Sequence, residues 1–338
     1  KMRSFSLLRQ KLGTTALSGK YSFSTLANSC TTTPRHIKIV EVSPRDGLQN
    51  IPTFVPTADK ISLISQLTSA GCPSIEVTSF VSPKWIPQMA DAVDIMTHLS
   101  FSRNSRSTSC RYAVLIPNLK GMERAVSHHP DEIAVFASAS ESFSRENINC
   151  SIDDSFRRFA PVFRMAKDAG IPVRGYVSCV MGCPYQGDVS VGAVAAVAGR
   201  LVDMGCHEVS LGDTIGVGTV GEVKGLIRAV TQFVDVEMMA VHFHDTYGQA
   251  LANIYGAVEE GVSVVDASVA GIGGCPYAGG ASGNVATEDV LYMLHGMGMT
   301  TGIDLDKMID AGNFISNVLG QPTNSRVAAA IIAKRERL

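Results

Sequence analysis

Residues 173–214 read VRGYVSCVMGCPYQGDVSVGAVAAVAGRLVDMGCHEVSLGDT, and they contain one full unit of a pattern that the rest of the chain repeats. Val173–Ser178 is a short β-rich run, followed by a loop holding glycine and proline. Val191–Met204 then has apolar residues at helical spacing and stops at Gly205, after which Glu208–Gly212 begins another β-rich run. Strand, loop, helix, strand is the signature of a parallel crossover.

Working outward, the same unit recurs from Ile37. The spacing predicts strands over Ile37–Val42, Ser74–Ser79, Tyr112–Pro117, Glu132–Ala137, Val173–Ser178, Glu208–Gly212, Met239–His244 and Ser263–Val269. Helical segments lie between them, among them Ala58–Ala70, Ile152–Ala169, Val191–Met204, Val220–Val230 and Ala250–Glu260, with Gly71, Gly170, Gly205 and Gly261 where C-terminal caps belong. Eight such units predict an α/β fold, a (β/α)8 TIM barrel with additional C-terminal helices. A doubly wound sheet is the alternative.

At 338 residues, with 45% hydrophobic and 18% charged residues, the chain has the composition of a folded enzyme. A net charge of −2 with no basic stripe argues against nucleic acid, and no apolar run is long enough to span a membrane. Eight cysteines scattered over this length are not a secreted disulfide scaffold, so reduced thiols are expected. Residues 1–33 differ from the rest. They are basic (Lys1, Arg3, Arg9, Lys11, Lys20), rich in Ser and Thr, and without an acid before Glu41, while Phe5, Leu8 and Leu12 share one helical face. That is the pattern of an organellar transit peptide, the alternative being a disordered tail. It leaves 34–338 as one catalytic barrel domain and predicts the mitochondrial matrix. The final Lys334-Arg-Glu-Arg-Leu338 resembles a peroxisomal signal only distantly.

A (β/α)8 barrel places its chemistry at the C-terminal ends of its strands. The polar residues collect there: Arg45 and Asp46 after strand one, Glu76 and Ser79 on strand two, Asn147 after strand four, Arg174 and Tyr176 on strand five, Asp213 after strand six, His242, His244 and Asp245 at the end of strand seven, Cys275 and Asn284 after strand eight. On a strand, residues two apart share a face, so His242 and His244 point together while Phe243 points into the helix layer. Two imidazoles, with Asp46 and the amide oxygen of Asn284, form a mixed N2O2 set. Such a set suits Mg2+ or Mn2+ better than Zn2+, Co2+ or Fe2+. A pair of merely hydrogen-bonded histidines is the plainer alternative. Gly273–Val290 places Cys275 in a glycine-rich loop, where it reads as a chemically active thiol on a mobile segment. A small packed cysteine in an ordinary turn is the other reading. Cys179 and Cys183 lack a second pair with which to build a zinc site, and Cys72, Cys110, Cys150 and Cys206 read as packing residues.

From about Ile37 to Ala330 the chain resembles the 3-hydroxy-3-methylglutaryl-CoA lyases. The resemblance rests on Pro44-Arg-Asp-Gly-Leu-Gln-Asn50, Thr78-Ser-Phe-Val-Ser-Pro-Lys-Trp85, Asn147-Ile-Asn-Cys150, Arg174-Gly-Tyr-Val-Ser-Cys179, Ser210-Leu-Gly-Asp-Thr-Ile-Gly216, the stretch from His242 to Asn253, and Gly273–Val290. Ser43 stands where that family usually has glycine, and Phe243 where some members have cysteine. The resemblance implies a retro-Claisen cleavage of an acyl-CoA to acetyl-CoA and acetoacetate, and it assigns Asp46, His242, His244 and Asn284 to the metal, Arg45 to the substrate carbonyl, Glu76 to a nearby polar role and Cys275 to catalysis. In such a reaction His242 is the candidate base, through its second nitrogen or by ligand exchange, and Cys275 would protonate the enolate carbon. Arg45 would meet the enolate oxygen, so its loss should cut turnover and leave folding nearly intact. Ser79, Asn147 and Tyr176 are expected to hold the acyl group or CoA arm. Glu41, Asp213 and Glu288 are expected to orient Arg45, the metal ligands and the loop. A homodimer is the expected assembly. Two alternatives remain at this point: an acetyl-CoA-dependent 2-oxo-acid synthase of the same superfamily, which would lack the Gly-Gly-Cys-Pro-Tyr loop, and a non-catalytic acyl-CoA-binding barrel.

Overall fold

Eight parallel strands close on themselves in chain order, each hydrogen-bonded to the next and the last to the first. The computed structural model describes residues 35–103, 109–274 and 283–337. The strands are β1 Lys38–Glu41, β2 Ser74–Ser79, β3 Arg111–Leu115, β4 Glu132–Ser138, β5 Val173–Ser178, β6 Cys206–Asp213, β7 Met239–Phe243 and β8 Val264–Ala267. Closure excludes the doubly wound sheet: in the β1–β8 register Val40 lies opposite Asp266 and Glu41 opposite Ala267.

The helices follow the strands: α1 Thr57–Ser69, α2 Ala92–Arg103, α3 Leu119–Ala125, α4 Glu141–Ile148, α5 Ile152–Asp168, α6 Val191–Asp203, α7 Val220–Val230, α8 Ala250–Glu259 and α9 Thr287–Gly296. Two more complete the chain. α10 (Leu305–Leu319) packs on α1, and α11 (Arg326–Arg335) packs on α9. α5 shows why these segments are helical. Ser151 caps its first turn by accepting from Asp154 N, and Phe156, Phe159, Val162, Phe163 and Ala166 form its buried stripe. Each large side chain so buried contributes about 1.5–3 kcal/mol. At the far end of α1, Gly71 takes φ +96°, and the amides of Gly71 and Cys72 turn back to Thr68 O and Leu67 O, which closes the helix. Among the described residues no helix is long and apolar enough to cross a membrane.

Phe243 belongs to the large core between sheet and helices, while Val40, Val42, Ala240 and Val264 form a small apolar layer inside the barrel. Beside that layer runs a charged chain. Lys38 donates to Glu208 at 2.9 Å, and Arg174 donates to Glu208 at 2.6 Å and to both oxygens of Asp266 at 3.2 and 2.7 Å. Arg174, read from the sequence as part of the rim, is therefore committed to partners deeper in the barrel.

Candidate active site and metal centre

Directly after β1 the chain makes a tight helical turn, Ser43–Gly47, in which the amides of Arg45, Asp46 and Gly47 all donate to Val42 O. Gly47 is required there, because a Cβ would come within 2.8 Å of Ser268 Oγ and the Ile272 side chain. The turn aims Arg45 and Asp46 at the barrel mouth. Arg45 donates to Asp46 Oδ1 at 2.5 Å and to Glu76 Oε2 at 2.7 Å, and Tyr176 OH donates to that same Glu76 oxygen at 3.0 Å. The Tyr176 ring lies 5.6 Å from the Arg45 guanidinium carbon and 4.8 Å from that of Arg174. Burial opposes the charge on Arg45, but the carboxylates of Glu76 and Asp46 outweigh it and raise its pKa above the ordinary guanidinium value. Arg45 Nε and Glu76 Oε1 are buried without a partner, two polar atoms left over at the mouth. An arginine so deeply paired is also part of the structure, which corrects the expectation that folding would be indifferent to its loss.

β7 brings His242 and His244 to the same mouth, their ring centroids 5.4 Å apart. With Asp46 they form a cluster whose ligating atoms all lie within 4.8 Å of one another. His242 Nε2 lies 3.8 Å from Asp46 Oδ2, and its Nδ1 lies 3.3 Å from Asp266 Oδ2. Burial pushes against ionisation of His242, yet the hydrogen bond to Asp266 and the charge of Asp46 more than offset it, and its pKa rises. Burial and the neighbouring His242 push His244 down to about 4, which keeps it neutral. Burial favours the protonated form of Asp46, but Arg45, His242 and Asn284 pull its pKa to about 2. An ionised carboxylate beside a neutral imidazole is a donor set that fits a divalent cation.

Asn284 reaches this cluster by backbone pairing: residue 284 bridges to His244, and Asp245 N donates to Gly283 O at 2.6 Å. Its Nδ2 donates to Asp46 Oδ2 at 2.9 Å and to Ile272 O at 3.3 Å. The nitrogen of the amide therefore faces Asp46 here, where the sequence reading had assigned its oxygen to a metal.

The supporting residues act on backbone. Glu41 accepts from Ser43 N and Val269 N, both at 3.0 Å, and from Thr287 Oγ1 at 2.7 Å, so it ties the arginine turn to β8 and α9. Glu288 accepts from Ala270 N at 3.0 Å, which steadies a non-glycine residue at φ +56°. Burial raises its pKa to about 8. Asp213 accepts from Val217 N and Gly218 N and shapes the β6–α7 loop, and burial raises its pKa too. Ser79 Oγ is taken up locally by Leu115 O and Val81 N. Asn147 lies exposed on α4. Cys275 falls outside the described residues. The six cysteines from Cys72 to Cys206 are buried thiols.

Sequence reading missed Asp266 and Glu208. Asp266 accepts from Arg174, from Ser210 Oγ at 2.8 Å, and faces His242, while burial favouring its protonation is overcome by Arg174 and His242, so its pKa falls well below the carboxylate range. One signal was present: an acid on the inward face of an otherwise apolar strand must find a cation.

A carboxylate–imidazole cluster beside a buried arginine, all at the C-terminal mouth of a closed (β/α)8 barrel, makes this a barrel with a candidate divalent-cation site, and its relatives make it a carbon–carbon lyase. Within that class the chain belongs to the HMGL-like family, whose model matches residues 36–315. It is 56% identical over 297 residues to the mitochondrial hydroxymethylglutaryl-CoA lyase of Gallus gallus, covering 88% of this chain and 98% of that one. Identity to the cytoplasmic 3-hydroxy-3-methylglutaryl-CoA lyase of Danio rerio is 57% over 297 residues, with 88% and 87% covered. The crystal structure of hydroxymethylglutaryl-CoA lyase from Pseudomonas aeruginosa matches with a TM-score of 0.86 at 55% identity, covering 89% of this chain and 99% of that one.

Proposed function

We infer that the protein cleaves 3-hydroxy-3-methylglutaryl-CoA to acetyl-CoA and acetoacetate, acting as a hydroxymethylglutaryl-CoA lyase. The observation that carries this is Arg45 at the mouth, its Nε unpartnered, in contact with the carboxylate of the Asp46–His242–His244 cluster. Asp46, His242 and His244, with Asn284 alongside, would hold one divalent cation, Mg2+ or Mn2+. Such an ion supplies Lewis acidity to a substrate carboxylate and hydroxyl.

This chain's own groups do the rest. Arg45 is a fixed, always-charged donor for the oxyanion that develops on the thioester as the bond breaks. Glu76 holds its guanidinium in place, and Tyr176 holds Glu76 through its hydroxyl and packs its ring against the guanidinium. With Nδ1 turned to Asp266, His242 could take the substrate hydroxyl proton only through Nε2 and only by ligand exchange, since a nitrogen that holds the cation has no lone pair for a proton. Cys275 is our candidate donor to the enolate carbon, a thiol being acidic enough to give up its proton there. We assign Glu41, Asp213 and Glu288 to holding the loops that carry these groups. Ser79 and Asn147 stay in the proposal as acyl and CoA-arm contacts on their place at and after the ends of β2 and β4 alone.

We further propose that 34–338 is a single catalytic domain, that 1–33 is a transit peptide directing the chain to the mitochondrial matrix, and that the enzyme is a homodimer. The mitochondrial name of the Gallus gallus relative supports the address, and the cytoplasmic Danio rerio relative is the competing case. Release of acetoacetate from hydroxymethylglutaryl-CoA, measured after chelation and after adding back Mg2+ or Mn2+, tests the activity. No acetoacetate with either ion overturns it.

A further inference from the structure

We propose that Asp266 is the positioning residue that decides which ring nitrogen of His242 carries the proton, holding Nδ1–H toward the barrel interior and leaving the Nε2 lone pair at the mouth. The proposal rests on the reading of Asp46, His242 and His244 as a cation site.

Asp266 is 2% exposed, and its carboxylate is pinned from several sides: Oδ1 accepts from Arg174 Nη2 at 2.7 Å, while Oδ2 accepts from Arg174 Nη1 at 3.2 Å and Ser210 Oγ at 2.8 Å, with His242 Nδ1 at 3.3 Å. An ionised carboxylate only accepts, so the ring nitrogen facing it must be the one that bears hydrogen. The other nitrogen then has its lone pair free, and it is the one that faces Asp46. Arg174 cannot swing away, because its Nε is held at 2.6 Å by Glu208, whose second oxygen is held by Lys38 at 2.9 Å. Charges alternate along Lys38, Glu208, Arg174 and Asp266 and end on an imidazole at the mouth. Stability is a poor reason for such a chain beside the apolar layer of Val40, Ala240 and Val264, since buried ion pairs are often matched or bettered by well-packed apolar residues. Fixing a ligand's tautomer and orientation is a reason, and loss of such a partner typically costs about 10–100-fold in metal affinity.

The full chain, stripped of metal and labelled with 15N in its histidine rings, is compared with Asp266→Asn by NMR at a pH where the ring is neutral. Mn2+ binding is measured on both, and again in a His242→Ala background. The wild type should show His242 as the Nδ1–H tautomer, and Asp266→Asn should shift it toward Nε2–H. Mn2+ affinity should fall about 10–100-fold in the first background and not further in the second, because Asp266 acts only through His242. An Nε2–H ring in the wild type, or an equal loss of affinity in both backgrounds, overturns the proposal. Mn2+ affinity that is indifferent to both His242→Ala and Asp46→Ala would instead overturn the cation site itself. Should Asp266→Asn not fold, Ser210→Ala removes one donor to the same oxygen while keeping every charge. It should weaken Mn2+ several-fold with His242 present and not without it, and an equal change in both counts against Asp266.

Discussion

Gly273 lies against Asn284 so closely that a Cβ at 273 would sit 2.6 Å from Asn284 Nδ2. The same glycine has φ +111°, and its carbonyl accepts from the amides of Gly283 and Asn284, at 3.1 and 3.3 Å, which closes the base of the glycine-rich loop. Backbone conformation and side-chain placement thus depend on one missing methyl. Gly273→Ala should displace Asn284 from Asp46 and cost about 1–3 kcal/mol from the strained backbone alone. We expect a lower melting temperature together with weaker Mn2+ binding. A variant that loses stability while binding Mn2+ as before would separate Asn284 from the cation.

Arg45→Met should lower kcat about 100- to 1,000-fold, the usual cost of one oxyanion donor. It should also destabilise the fold, because it leaves Glu76, 1% exposed, as an uncompensated buried carboxylate. Breaking a buried pair from one side costs about 3–5 kcal/mol, and neutralising the survivor restores part of that. The double variant Arg45→Met, Glu76→Gln should therefore melt above the single variant while remaining as slow. Equal melting temperatures for the two would show that Glu76 does not depend on Arg45.

Local pattern made much of this molecule readable. β2 and β5 begin and end where the sequence places them, each a short β-rich run buried on both faces along nearly its whole length. β3 stops at Leu115, short of the expected Pro117, since proline has no amide to offer the ladder. The mouth residues could be found because strand ends in such a barrel share one face. For Asp266 the sequence signals only that a cation is needed, not which one, because Arg174 is 92 positions away and only closure of the barrel brings them together. Arg174 was misplaced although its depth was legible: as the second residue of β5 it sits at the N-terminal end of the strand, away from the mouth.

Glu288 gives a pH dependence with a definite sign. Burial lifts its folded pKa from 4.5 to about 8, so between those values the folded chain binds a proton that the unfolded chain has released. Stability from this group is present below pH 4.5 and declines as pH rises through the window, by up to about 1.4 kcal/mol per pH unit. Urea midpoints should therefore fall from pH 6 to pH 8. Glu288→Gln, which keeps an oxygen for Ala270 N, should flatten that slope. A slope unchanged in the variant would assign it to other groups, Glu41 first, whose pKa burial also raises.

Cys275 separates thiol chemistry from packing. Gly273 O accepts from the amides of Gly283 and Asn284, on the two sides of the segment that carries it. If the thiol is chemical, Cys275→Ala should melt near the wild-type temperature and lose most of its turnover, because a glycine-rich loop contributes little core packing. Cys275→Ser should keep the loop's shape and stay slow, since a hydroxyl is a far weaker acid than a thiol. A thiol-directed alkylator should inactivate the wild type, with substrate or product giving protection. Were Cys275 a packing residue, the Ala variant would lose stability, what remained folded would be active, and substrate would protect nothing. Melting temperature and turnover measured on one preparation decide between the two, and an Ala variant both stable and fully active would remove Cys275 from the chemistry.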